Sequence, residues 1–116
     1  MPNELLQLDQ VFQALTDPTR RAVLERLSRG PAATLELALP FDMALPSFTQ
    51  HMSVLERVGL VKSMKLGRVR TYEIVPKRLQ VAEVWIADQR RLWESRLNQL
   101  DTYLLTMKES NDVEQE

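Results

Sequence analysis

A chain of 116 residues, 44% hydrophobic and 27% charged, suffices for one globular core, and no apolar run approaches the roughly 20 residues of a membrane span. The absence of cysteine excludes disulfides, thiolate metal sites and thiol redox chemistry. A net charge of −1 excludes a general attraction for polyanions, so affinity for one must come from a local patch.

In chain order, Leu5, Leu8, Val11, Phe12 and Leu15 recur at helical spacing and predict a first helix over 4–15. Asp17 is suited to cap a second helix and Pro18 to open it, because the missing proline N–H is an orphan there in any case. That helix is expected to reach about Ser28, with Ala22, Val23, Leu24 and Leu27 inward, before Gly30-Pro31 stops it. Thr34 is the expected cap of a short third helix, Leu35 to about Leu39, ended by Pro40. A fourth helix starts at Pro46, with Leu45 a poor cap before it, and runs to Val58, where Gly59 supplies the stop.

The period then changes. Leu60 to Val75 is rich in β-prone residues with one glycine, the pattern of a hairpin turning near Leu66-Gly67 and closed by Pro76. A last helix is expected from about Leu79 to Met107, followed by an unstructured acidic tail over 109–116. The expected fold is mainly α with a small β-hairpin, in the order α-α-α-α-β-β-α, a helix-turn-helix with a wing. Residues 17–75 form its core; 4–15 and 79–107 are the flanking helices.

On a wheel of 100° per residue, Phe48, Met52 and Leu55 share the inward face of the fourth helix. Pro46, Thr49, Gln50, Ser53 and Arg57 share the other. Short polar side chains, an amide able to pair with adenine and a nearby cation are what base-edge contact in a major groove requires. Ser47 at the helix start is placed for a phosphate. His51, the one histidine, stands at the border, suited to a structural or phosphate-contacting role. No carboxylate or nucleophile is placed by sequence spacing to work with it.

Charge is partitioned along the chain. Residues 1–78 hold eleven Lys/Arg against eight Asp/Glu, whereas 79–116 hold four against eight. Within 46–70, Arg57, Lys62, Lys65, Arg68 and Arg70 face Glu56 alone. Lys65, Arg68 and Arg70 around the Gly67 turn make a basic hairpin tip that can follow a groove or phosphates. A solvated polar helix and a charged strand edge that resists aggregation are the plainer explanations of the same residues.

Three stretches, FQALTDPTRRAVLERL (12–27), PSFTQHMSVLERVGLV (46–61) and GRVRTYEI (67–74), together resemble the ArsR family of winged-helix repressors, over about residues 4–105. The resemblance implies a homodimer joined through the first and last helices, with Leu5, Leu8 and Phe12 on one and Trp85, Gln89, Trp93, Leu97, Leu100 and Leu104 on the other. The length and apolar row of the last helix point the same way. It also implies a sequence-specific repressor on a roughly palindromic operator. Here the chain departs from the metal-sensing members. Leu35-Glu36-Leu37-Ala38-Leu39 offers no soft ligand on the third helix, and Asp88, Glu94 and Asp101 have no histidine beside them.

The expectation is therefore a DNA-binding repressor that is not metal-responsive and uses no cofactor. It is not an enzyme, since no nucleophile–base pair or Gly-rich phosphate loop is present. MPNELLQLDQ has no basic segment ahead of an apolar one, so a cytoplasmic protein is expected. The alternatives are a winged-helix module for protein contact and a small-molecule-responsive regulator with an activating role. An unidentified inducer near Trp85 and Trp93 stands open beside simple interface packing there.

Overall fold

The chain turns from α1 (Asn3–Leu15) into α2 (Pro18–Leu27) where the sequence places a cap: Asp17 Oδ2 accepts the backbone N–H of Arg20 at 3.0 Å, and Pro18 opens the helix. These elements come from a computed structural model that describes the backbone of residues 3–114 and the side chains of 6–111. Burial works against the Asp17 carboxylate. The Arg20 N–H, the electrostatic effect of the nearby His51 and Arg20 side chains and the Thr19 N–H outweigh it and hold its pKa below the usual carboxylate value. Val23, Leu24 and Leu27 face inward as the period predicts. Ala22 is exposed, because 100° steps turn it away from the stripe that those three define.

The next segment departs from expectation. Ala32–Ala33 form β1, a strand of two residues that pairs antiparallel with β3 (Val69–Ile74), Ala32 opposite Tyr72. α3 is Thr34–Ala38, capped by Ala33 without a side-chain hydrogen bond. Thr34 is thus the first helical residue and not the cap. Its hydroxyl donates to the Arg70 carbonyl at 3.2 Å, a partner 36 residues away.

α4 (Leu45–Val58) has Pro46 in its first turn and ends as predicted at Gly59, φ +89°. The Gly59 N–H donates to Glu56 O at 3.0 Å and the Leu60 N–H to Leu55 O at 2.9 Å, the paired bonds of a Schellman stop. β2 (Val61–Leu66) follows and pairs with β3 in full register, Val61 opposite Ile74 through Leu66 opposite Val69. Gly67 (φ +63°) and Arg68 make the two-residue turn between them. Only the first central residue has positive φ, the sign pattern of a type II′ turn. The sheet order is β1-β3-β2, and the full order is α-α-β-α-α-β-β-α.

α5 spans Pro76–Glu114. Pro76 opens this helix as well as closing the strand, since its fixed φ suits a first turn. Residues 109–114, expected as unstructured tail, continue the helix. ESNDVE contains no glycine or proline, and extending a formed helix is far easier than starting one. By its contacts the chain divides into a unit ending at Ala82 and a second unit, which begins at Glu83 and holds the rest of α5.

The core lies within the first unit. Phe48, Met52 and Leu55 of α4 are completely buried, together with Val11 of α1 and Leu60, and Leu27, Leu37 and Val61 are nearly so. Phe41 stacks on Phe48 with ring centroids 5.7 Å apart. Each such side chain contributes about 1.5–3 kcal/mol through burial. Leu8, expected at a dimer interface, is 8% exposed and belongs to this core, and Phe12 packs against it. The side chain of Leu5 lies outside the described residues.

Asp17→Ala is expected to destabilise the protein by about 1 kcal/mol at neutral pH through loss of the cap. Because the folded carboxylate titrates below its unfolded value of 3.8, the stability it adds is full above that pH and lost below it. Thermal melts of the two proteins should therefore converge as pH falls below about 3.8.

Candidate nucleic-acid interface

Burial of Phe48, Met52 and Leu55 fixes the rotation of α4 and leaves Pro46, Thr49, Gln50, Ser53 and Arg57 exposed on the opposite side, with Ser47 exposed in the first turn. This is the division that the helical wheel predicts. Thr49 is partly committed, since its hydroxyl donates to Leu45 O within the helix at 2.9 Å. It offers a partner its methyl group and lone pairs, and Gln50 remains the residue with both amide donor and acceptor.

His51 is anchored rather than free. Its Nδ1 lies 3.2 Å from an Arg20 guanidinium nitrogen, which donates to it, and 3.7 Å from Asp17 Oδ2. Arg20 also donates from Nε to Ala14 O at 2.7 Å and, from another nitrogen, to Gln13 O at 3.3 Å. One guanidinium thus ties the end of α1 and the start of α2 to the middle of α4. The cap is visible in Asp17-Pro18-Thr19-Arg20 as a sequence, whereas the span of Arg20 onto α4 depends on a helix 31 positions away.

The wing is held as firmly. Strand alternation and the register Ser63↔Tyr72 and Lys65↔Arg70 put these four residues on one face of the hairpin. Arg70 donates to the Ser63 hydroxyl at 2.8 Å, which donates to Glu56 Oε1 at 2.7 Å. The end of α4 is joined to the wing through this chain, and the Arg70 backbone carbonyl is held by Thr34. Glu56, the sole acid counted against five cations, is therefore a positioning residue. Sequence reasoning missed Ser63 and Thr34 in this role. Alternation within β2 was the one available signal, and it places Ser63 beside Lys65 without naming Glu56.

Burial, and then the Glu56 carboxylate, push the Tyr72 phenol above its usual range, against smaller opposing effects of Arg70 and Thr34. Lys62 is paired with Glu73 at 2.9 Å across the strands, so it adds little net charge. Arg57, Lys65 and Arg68 are exposed and have no ion pair or hydrogen bond among the described residues. Lys65 and Arg68 at the hairpin tip and Arg57 on α4 are thus accessible to a polyanion.

In the second unit, Trp93 is 63% exposed, Leu97 55%, Leu100 51% and Leu104 52%. Trp85 is 44% exposed and Gln89 half-buried. Among the described residues no three His, Cys, Asp or Glu side chains are grouped to hold a metal ion, and no helix is long and apolar enough to cross a membrane.

A helix-turn-helix domain model matches residues 15–63. The chain is 38% identical over 89 residues to the HTH-type transcriptional regulator Rv2034 of Mycobacterium tuberculosis, covering 77% of this chain and 80% of that one. It is 28% identical to the transcriptional repressor SdpR of Bacillus subtilis, over 68% of this chain and 88% of the other. Among solved structures, an ArsR family transcriptional regulator superposes with a TM-score of 0.77 at 56% identity, over 82% of this chain and 98% of that one. The homodimeric winged helix-turn-helix DNA-binding domain Mb0332 of Mycobacterium bovis superposes with a TM-score of 0.59 at 26% identity, over 76% and 83% of the two chains.

If Ser63 joins Arg70 to Glu56, Ser63→Ala should leave the fold intact, with a stability change within about 1 kcal/mol for an exposed polar contact. Nitrogen relaxation at Arg70 Nε should report faster side-chain motion than in the parent. Unchanged relaxation would show that the bridge does not hold the side chain.

Proposed function

This chain belongs to the ArsR family of transcriptional regulators, and we propose that it is a homodimeric repressor that binds double-stranded DNA through α4 and the wing. The observation that carries the proposal is the union of two surfaces by one hydrogen-bonded chain: an exposed polar α4 face, and a basic wing whose Arg70 is tied to it through Ser63 and Glu56. Neither surface alone distinguishes a DNA reader from a polar exterior. Unpaired cations at the tip beside an exposed polar helix face suit a polyanion that runs past both.

In this mechanism α4 enters the major groove, where Gln50 reads a base edge and Thr49 and Ser53 approach bases or sugar. Ser47 and Arg57 take phosphate oxygens, and Pro46 packs at the groove edge. Lys65, Arg68 and Arg70 hold flanking backbone or a narrow minor groove. His51 acts by keeping α4 in place against α2. Two protomers address successive major grooves of a roughly palindromic operator, about 34–36 Å apart, and block access to the promoter. The likeness to a named repressor supports this direction of control.

A second copy covers the apolar row of α5, in which Trp93, Leu97, Leu100 and Leu104 repeat at spacings of three and four. The homodimeric neighbour from Mycobacterium bovis supports this assembly. No step calls on a metal or cofactor, and none is catalytic. The chain has no cysteine, and its one histidine is engaged through Nδ1.

Fluorescence anisotropy with the upstream DNA tests these assignments. Arg68→Ala should weaken binding to operator and random DNA alike and lower the salt slope by about 0.9. Gln50→Ala should cost about 1–3 kcal/mol on the operator only. Equal loss on both DNAs for Gln50→Ala would remove it from base reading.

Leu97→Glu with Leu104→Glu should yield monomers in sedimentation and lower operator affinity by about 10²-fold or more, as two linked half-sites become one. A persistent dimer would place the interface elsewhere.

A further inference from the structure

We propose that a recess between α1 and the C-terminal half of α4 binds a small organic anion, a carboxylate or phosphate monoester, and that its occupancy weakens DNA binding. Its volume is about 340 Å³, at the small end of ligand sites. Ala14 of α1 and Val54 and Val58 of α4 give it an apolar lining, and Gln10, Gln13, Arg20 and Arg57 a polar one.

Two guanidinium groups and two amides line this recess without a carboxylate. Arg20 has three hydrogen bonds, to Ala14 O, Gln13 O and His51 Nδ1, of the five that its N–H groups can make. Arg57 has no partner among the described residues. A planar carboxylate or a phosphate fits such donors in paired fashion, and the valines receive the carbon part of the molecule. A neutral apolar ligand would bury the cations without recompense, and a cation would be repelled. A DNA phosphodiester carries a single charge and its sugar carbons are held in the duplex, whereas a free carboxylate or phosphate monoester can turn its carbon part onto the valines, which favours a free small molecule.

The regulatory half of the proposal rests on the DNA-binding function proposed above. An anion that draws Arg57 inward removes one cation from phosphate contact, and it competes with His51 for Arg20. Both effects act on α4.

Titration of the full chain with inorganic phosphate, succinate and benzoate, followed by backbone amide NMR, tests the site. The expected result is saturable shifts confined to Gln10, Gln13, Val54 and Val58 with at least one probe. Gln10→Glu should weaken that binding about tenfold or more through like-charge repulsion, with an unchanged melting temperature and unchanged operator affinity in the absence of anion. The saturating probe should lower operator affinity of the parent about tenfold and its salt slope by roughly 0.9.

Absence of saturable shifts with all three probes, or shifts scattered over every basic surface, overturns the site. A matching loss of operator and random-DNA affinity in Gln10→Glu without anion assigns the recess to the DNA backbone and likewise overturns it. Saturable anion binding in a protein with no affinity for DNA leaves the site standing and removes the repressor function instead.

Discussion

Burial of three side chains on one helix governs the rest of the molecule. Phe48, Met52 and Leu55 lie at helical spacing and lose all contact with water, so α4 has a single rotational setting about its axis. Opening a cavity at Phe48 would cost about 3–5 kcal/mol, far more than any surface contact can offset. Every outward side chain of α4 takes its direction from that constraint. The first turn has no side-chain cap, so packing by the surrounding helices fixes this end of α4. Arg20 adds a polar strut, reaching His51 from α2 while it closes the end of α1.

The same economy shapes the charges. An overall charge of −1 coexists with a wing tip at which Lys65 and Arg68 have no acid partner among the described residues. Counting charges along the sequence overstates this patch in one respect and misreads it in another. Lys62 is largely cancelled by Glu73. Glu56 does not simply subtract from the patch, because through Ser63 it fixes the side chain of Arg70. A cation held in place loses less conformational freedom when a partner arrives, which is how a weak exposed contact becomes useful in recognition.

Local signals made much of this legible in the sequence. The cap at Asp17, the stop at Gly59, the buried stripe of α4 and the hairpin turn at Gly67 each depend on residues a few positions apart. What escaped was non-local. β1 is two alanines that become a strand only because β3 passes beside them, and no period can appear in so short a segment. Thr34 has the composition of a cap, but a carbonyl far along the chain claims its hydroxyl. Leu8 shows a limit of another kind: helical spacing marks a residue as inward without saying whether its own core or a second copy will cover it. Among the site residues, which side chains share a face was readable, and which are pinned was not.

The tight turn at Gly67-Arg68 constrains how this wing can diversify. With Leu66 paired directly to Val69, the loop has no slack. A single inserted residue in β3 would shift its register, sending Arg70 and Tyr72 to the face now held by Thr71 and Glu73. Arg70 would lose Ser63, and Tyr72 would leave the core. Lengthening by pairs of residues preserves the alternation, as does exchanging side chains at fixed positions. Divergence among such wings should therefore proceed by substitution at the tip or by even-numbered steps, and odd insertions should be tolerated only where a bulge absorbs them.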